Sequence, residues 1–388
     1  MPPFKLSHVT AGFIAMLVGY TSSVAIIFQA IDRLGASAAQ ANSWMLVLGL
    51  GMGLSTLFLS LRTKMPVLTA WSTPGAALIA LSAGLSLPEA TGAFLFCALL
   101  LIATGLSGWF DRLARLVPDT LANAMLAGIL FSFGMKIFDG IGTDAALVAV
   151  MAAVYLALKR WAPRYAIAAV FLAGLSYVAL TGGFAGARLP LALAQPVFVM
   201  PDFSVPALIG LGLPLYLVTM SSQNMPGVVT LRGDGYEPDI GRAITVTGVT
   251  SLLLAPFGGY AFNLAAITAA ICTGPEADDD PATRYKAAVF AGAFYVGVGL
   301  MGATVIGIFV ILPPALVLTI AALALLGTIG NSLSAAMSAR DDREAALVTF
   351  MTTASGVSLL GIGAPFWALV IGLTVRLALR RKSPGQAA

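Results

Sequence analysis

Apolar runs about as long as a bilayer-crossing helix, roughly 20 residues, recur along this chain from Val9 almost to its end. We place fourteen of them, near 9–30, 43–61, 67–84, 89–108, 119–138, 144–158, 165–181, 206–225, 241–256, 262–274, 286–310, 314–335, 344–357 and 360–379. Short polar loops separate them. The composition agrees: 59% of the 388 residues are hydrophobic and 10% are charged, against about 25% charged in soluble domains. A water-soluble globule could not cover that much apolar surface. The expected fold class is an all-α polytopic membrane protein. The run from Val9 to Ala30 reads as a first span and not as a cleavable leader, being too long for one.

The same inventory removes several function classes. Cys97 and Cys272 lie far apart in apolar runs, and His8 is the sole histidine. No metal centre of nitrogen or sulfur ligands is expected. There is no P-loop lysine motif, no GxSxG elbow and no HExxH, so neither an enzyme nor a cofactor site is expected. The net charge of +4 is spread without a basic stripe, which disfavours nucleic acid as a partner. All seventeen acidic residues fall in loops or within a turn of a span end, His8 reads as an interfacial residue, and Asp278-Asp279-Asp280 reads as a solvated loop.

Charge also sets orientation. Of the 21 basic residues, Arg33, Lys136 and Arg188 fall on one side of this map and the other eighteen on the opposite side. The positive-inside rule then places both termini in the cytoplasm. The longest irregular stretch, about 182–205, divides the map into seven spans and seven spans. An odd number per half forces the second half to enter from the other face, as in an inverted repeat. The expected halves are residues 1–200 and 201–388.

Two spans are broken at matching places. The third runs Met65-Pro66-Val67-Leu68-Thr69-Ala70-Trp71-Ser72-Thr73-Pro74-Gly75, and the tenth opens Pro256-Phe257-Gly258-Gly259-Tyr260-Ala261-Phe262-Asn263. Both predict an extended entry before a half-length helix. Ser72 or Thr73 would cap the first, with Pro74 as its first helical residue and free N–H groups from Gly75 on. Asn263 would cap the second. Facing helix N-termini suit an anion such as a carboxylate. Mid-membrane polar residues add candidates: Tyr20 and Ser22 in the first span, and Ser221, Gln223, Asn224 and the adaptable Met225 at the end of the eighth. Glycines 49, 51, 53, 297, 299 and 302 are expected to permit close helix packing.

Four stretches together resemble the benzoate/proton symporter (BenE-type) family: GYTSSVAIIFQA at 19–30, AWSTPGAAL at 70–78, SSQNMPGVVTLRGDGY at 221–236 and GGYAFNLAAITAAICTG at 258–274. That family is similar in fold to uracil/proton symporters and sulfate-type anion transporters. The resemblance implies a seven-plus-seven inverted repeat. It implies a core domain of spans 1–4 and 8–11 and a gate domain of spans 5–7 and 12–14. Substrate would sit between the two half-helices, and elevator-like movement of core against gate, in a homodimer, would give alternating access. The related nucleobase carriers place acidic side chains in spans 8 and 10, where this chain has Ser221, Gln223, Asn224 and Asn263. The expected function is proton-coupled import of benzoate or a similar aromatic carboxylate across the cytoplasmic membrane. The alternative is an exchanger or channel for another small anion.

Overall fold

The computed structural model describes residues 5–82, 84–108, 118–161, 166–184, 193–275, 277–302, 304–305, 311–357, 359 and 364–379. The basic residues Arg112, Arg115, Arg164, Arg188, Arg380, Arg381 and Lys382, and the acidic Asp111 and Glu276, lie outside them. The helices are α1 (Leu6–Arg33), α2 (Ala38–Thr63), α3 (Thr73–Leu81), α4 (Leu87–Ser107), α5 (Asp119–Gly134), α6 (Ile137–Thr143), α7 (Ala145–Trp161) and α8 (Ala166–Leu180). They continue with α9 (Val205–Gly233), α10 (Ile240–Leu254), α11 (Ile267–Thr273), α12 (Tyr285–Leu300), α13 (Pro314–Ala336), α14 (Arg343–Ala354) and α15 (Ala364–Leu379). Two short strands, β1 (Thr69–Ala70) and β2 (Asn263–Leu264), and three 3-10 turns, Ala255–Phe257, Pro281–Thr283 and Arg340–Asp342, complete the described elements. Among the described residues, seven helices are long and apolar enough to cross a membrane. The other expected spans appear as shorter or interrupted helices.

Local sequence explains the helix starts. Ser37 with Gln40, and Ser86 with Glu89, form reciprocal capping boxes at α2 and α4. Ser72 caps α3, its hydroxyl accepting the Gly75 N–H, so Thr73 is the first helical residue and Pro74 the second. The segment before it is non-helical: a tight turn closed by Val67 N–H to Met65 O leads into β1.

The eighth expected span is longer than its sequence suggests. It runs to Gly233 and contains two π-helical turns, Leu208–Gly212 and Met220–Asn224. Each ends two residues before a proline, Pro214 or Pro226. Proline cannot donate to the carbonyl four residues back, and a widened turn absorbs the missing bond without ending the helix. The Ser221–Asn224 cluster therefore lies inside α9 and not at its end.

Small residues set the closest packing. α2 runs along α12, where a Cβ on Gly49 would lie 2.4 Å from the Gly299 Cα and one on Gly53 would lie 2.6 Å from the Gly292 carbonyl. Gly51 seats the Phe262 ring, and Gly302 stands against Met45. Gly297 differs from expectation: a Cβ there meets nothing within 4 Å, because it faces outward on α12. α4 runs along α10, and α1 packs on α12, α3 and α11. A second set of contacts joins α5 to α13 and α14, α14 to α15, and α7 to α8. The sets meet where α1 touches α13 and α8, and where α3 and α9 touch α5. The extended segment 193–204 is laced across α2, α4 and α12: Val197 N–H donates to Ser43 Oγ, Asp202 N–H to Pro88 O and Ala194 N–H to Leu300 O.

One expectation is overturned at the ends of α1 and α11. The aspartate run is not fully solvated: Asp278 is buried among Lys5, His8, Thr283 and Arg284, and His8 is itself fully buried. The sequence pattern hides this because Lys5 and His8 lie some 270 residues from Asp278.

Candidate substrate site

The two broken segments meet in the interior. β1 and β2 pair antiparallel, with Thr69 opposite Leu264 and Ala70 opposite Asn263. Non-helical backbone at this depth must find its hydrogen bonds within the protein, and the flanking helices supply them. Thr56 Oγ1 accepts the Thr69 N–H at 2.9 Å, Ser251 Oγ the Phe262 N–H at 2.9 Å, and Asn224 Oδ1 the Leu264 N–H at 2.9 Å. Ala265 N–H donates to Leu68 O, and the Tyr260 hydroxyl to Ser72 O at 3.3 Å.

Beside this crossing lies a cavity of about 390 Å³. Small-molecule sites span about 300–1,000 Å³. Its inner wall comes from Gly19 and Ser23 of α1, Trp71 and Thr73 at the start of α3, Ser221, Ser222 and Gln223 of α9, residues 265–268 leading into α11, and Tyr295 of α12. The facing wall comes from Asn123 and Leu126 of α5 and Asn331, Ser332 and Ala335 of α13. None of these lining residues carries a formal charge. The aromatic side of the wall is held in place: Trp71 Nε1 donates to Ser23 Oγ at 2.9 Å, and Ser23 Oγ donates to Gly19 O at 3.1 Å. Tyr20 packs edge-on to Trp71 with ring centres 4.9 Å apart.

Thr73, Ser221 and Gln223 thus come together on the cavity. Ser72 is buried just behind it, capping α3 and accepting from Thr219 Oγ1 at 3.1 Å. Gly75 is where α9 presses on α3: a Cβ would lie 2.5 Å from Leu215 Cδ1. Tyr20 stands in the layer behind Trp71, buried, with no hydrogen-bond partner for its hydroxyl among the described residues. Ser22 is helical, and its side chain lies outside the described set. Met225 follows the π turn, outside the lining.

Two polar residues sit elsewhere than expected. Asn224 is fully buried with its carbonyl oxygen committed to Leu264 N–H, so it secures β2 to α9. Asn263 does not cap α11. It lies in β2, its Nδ2 donating to Ala261 O at 2.9 Å, and α11 begins three residues after the strand's first leucine with Ala266 at its N-cap and no side-chain cap. Strand pairing with Ala70 takes Asn263 out of reach of the helix start. Sequence reasoning missed Trp71, Asn123 and Asn331 as lining residues. The two asparagines carried a usable signal, since each is an amide inside an otherwise apolar span.

Comparison with known proteins follows the same lines. The description of the benzoate membrane transport protein family (BenE) matches residues 2–378. The chain is 46% identical over 363 residues to the inner membrane protein YdcO of Escherichia coli K12, covering 93% of each. It is 36% identical over 371 residues to the benzoate membrane transport protein of Acinetobacter baylyi, covering 95% of this chain and 94% of that one. Among solved structures, the transmembrane domain of the cyanobacterial bicarbonate transporter BicA matches with a TM-score of 0.60 at 15% identity, over 96% of both chains. The murine anion transporter Slc26a9 in its inward-facing state matches with a TM-score of 0.65 at 12% identity, over 98% of this chain and 68% of that one. At such identities the likeness is one of fold.

Proposed function

The chain belongs to the benzoate membrane transport family, a family of multi-pass membrane transporters and not of enzymes, and from that premise we propose that it imports benzoate or a similar aromatic carboxylate together with a proton across the cytoplasmic membrane. The observation that carries this reading is the cavity: uncharged, walled by Trp71 and Tyr295, and supplied with hydroxyl and amide groups by Thr73, Ser221, Ser222, Gln223 and Thr268. An aromatic ring is held by the first set, and a carboxylate by donors in the second and by the N-terminus of α3. Ser72 and Gly75 shape that helix end. Tyr20 backs the ring wall, and Asn224 and Asn263 support the crossing.

Proton coupling follows from energetics. Carrying one negative charge inward costs about 2.3 kcal/mol per 100 mV of inside-negative potential. A proton bound to the substrate carboxyl cancels that charge and needs no acidic side chain at the site. In this reading the chain has fourteen spans in a seven-plus-seven inverted repeat, with both termini cytoplasmic. A core of α1–α4 and α9–α12 moves in an elevator-like manner against a gate of α5–α8 and α13–α15, within a homodimer. The two sets of helix contacts support that division.

The test is uptake of labelled benzoate into proteoliposomes with and without an inward proton gradient, with uracil and sulfate as competitors. Gradient-stimulated uptake that neither competitor blocks is the expected result. Uptake indifferent to the gradient would leave an exchanger or channel for a small anion on the same fold. Proton-coupled uptake of a permanently ionised aromatic sulfonate would refute the substrate carboxyl as the proton's carrier.

A further inference from the structure

The buried cluster at the start of α1 lies outside the substrate cavity. His8 Nε2 is 2.8 Å from Asp278 Oδ2, and His8 Nδ1 accepts the Lys5 N–H at 3.1 Å. A backbone N–H can only donate, so Nδ1 holds a lone pair and the ring's single proton sits on Nε2, donated to the carboxylate. Asp278 also accepts from Lys5 Nζ at 2.8 Å, Thr283 Oγ1 at 2.7 Å and the Asp280 N–H at 3.1 Å. These bonds, that from Lys5 foremost, hold its carboxyl well below the usual carboxylate range. A depressed carboxyl keeps its contribution above its unfolded value, near 4, and loses it only as pH falls further. Asp278 therefore stays ionised at any cellular pH. Histidine ordinarily titrates near 6.5, inside that range.

We propose that His8 is a proton-binding site at the end of α1 opposite its Gln29 end, and that its protonation breaks the cap at the start of α1 while drawing the ring more tightly onto Asp278 of the loop after α11. A second ring proton can enter only at Nδ1, where it meets the Lys5 N–H head-on, so the cap at the start of α1 must break. Burial of the ring weighs most, and it weighs against the imidazolium; the surrounding charges come after it. Asp278 favours the imidazolium, with Asp279 and Asp280 beyond it on the same loop. Lys5 on the helix entry and the buried Lys286 on α12 oppose it. Arg284 is tied to the loop, donating to Asp278 O at 2.6 Å and to Thr273 O at 2.8 Å, while Thr273 Oγ1 donates to Asp234 at the end of α9. The clamp thus joins α1, α9, α11 and α12. Gly19 and Ser23 of α1 and Tyr295 of α12 line the cavity, so a change in the clamp acts on two of the helices that line it. On the transport reading and orientation given above, each cycle releases a proton at this face. The site then slows import as that compartment acidifies.

The test compares the wild type with His8→Gln. Glutamine is the usual capping-box residue at this position. Its Oε1 can accept the Lys5 N–H, its Nε2 can donate to Asp278, and it does not titrate. Benzoate tracer exchange is measured with equal pH on both faces, from pH 7.5 to 5.5, which removes any gradient. Wild-type exchange should fall at least threefold relative to His8→Gln over that interval. Hydrogen–deuterium exchange of residues 5–11, taken relative to the intrinsic exchange rate at each pH, should accelerate over the same interval in the wild type and stay flat in the variant. Identical pH profiles in both measurements overturn the proposal. If the wild type exchanges no benzoate at all, the transport reading fails, and amide exchange alone decides the role of His8.

Discussion

Asn224→Ala separates a residue that holds the crossing from one that touches substrate. The change removes the Oδ1 that accepts the Leu264 N–H at 2.9 Å and leaves that donor fully buried. An orphaned buried amide costs about 1–3 kcal/mol, and the weak Nδ2 contact to Met220 Sδ adds little. Gln223, one residue earlier, lines the cavity. A ligand at 100 times its Kd stabilises a protein by about 2.7 kcal/mol, so the two effects are of similar size and both readable. The assay is thermal unfolding of detergent-purified protein with and without saturating benzoate. Asn224→Ala should melt several degrees lower than the wild type yet keep its benzoate-induced rise. Gln223→Ala should melt normally without ligand and lose most of the rise. An Asn224→Ala protein that melts like the wild type and no longer responds to benzoate would refute the reasoning, because Asn224 would then be a ligand contact.

Gly49→Ala puts a methyl 2.4 Å from the Gly299 Cα and should cost about 1–3 kcal/mol. Gly297→Ala, on the open side of the same helix pair, should be neutral or stabilising by up to about 1 kcal/mol; equal melting points for the two variants would contradict this packing. Ser23→Ala strips the acceptor from Trp71 Nε1 and should weaken benzoate binding about tenfold, or about 1.4 kcal/mol, measured by competition uptake, while leaving expression intact. Lys136 Nζ donates to Gln29 Oε1 at 3.0 Å between α1 and the α5–α6 turn. Cysteines at both positions, joined by a short bifunctional thiol reagent, should arrest uptake until the reagent is reversed; Cys97 and Cys272 are buried and should not interfere.

What the sequence makes legible is local. Ser72 and Pro74 announce the start of α3 because capping and proline preferences act within one turn. Asn263 misleads for the opposite reason. Its role is set by a strand partner, Ala70, in the other half of the chain, and no short-range preference encodes that pairing. The Ser221–Asn224 cluster is conspicuous, but Pro226 reads as a helix end. In an apolar surrounding the chain keeps its hydrogen bonds by widening one turn and continuing. Asp278 is the clearest case. Three consecutive aspartates look solvated, and only folding brings Lys5 and His8 to the first of them.

The hydrogen bonds of the crossing bear on how such a site can change sides. Its irregular backbone is secured by Thr56 and Ser60 of α2, Asn224 of α9 and Ser251 of α10. Each unpaired group at this depth would cost several kcal/mol, so bending the crossing itself is an expensive route. The facing wall is held differently. α5 and α13 offer the cavity the side chains of Asn123, Leu126, Asn331, Ser332 and Ala335, and among the described residues lend no bond to the strands. These residues lie in the first two turns of α5 and the last two of α13, the ends that share a face with the start of α1. Gln29 and Lys136 meet near the opposite ends of α1 and α5. The cavity is therefore directed to one face while a polar contact ties the two helix sets together toward the other. On the elevator-like reading proposed above, the rigid crossing slides past α5 and α13, and that motion requires the Gln29–Lys136 bond to break.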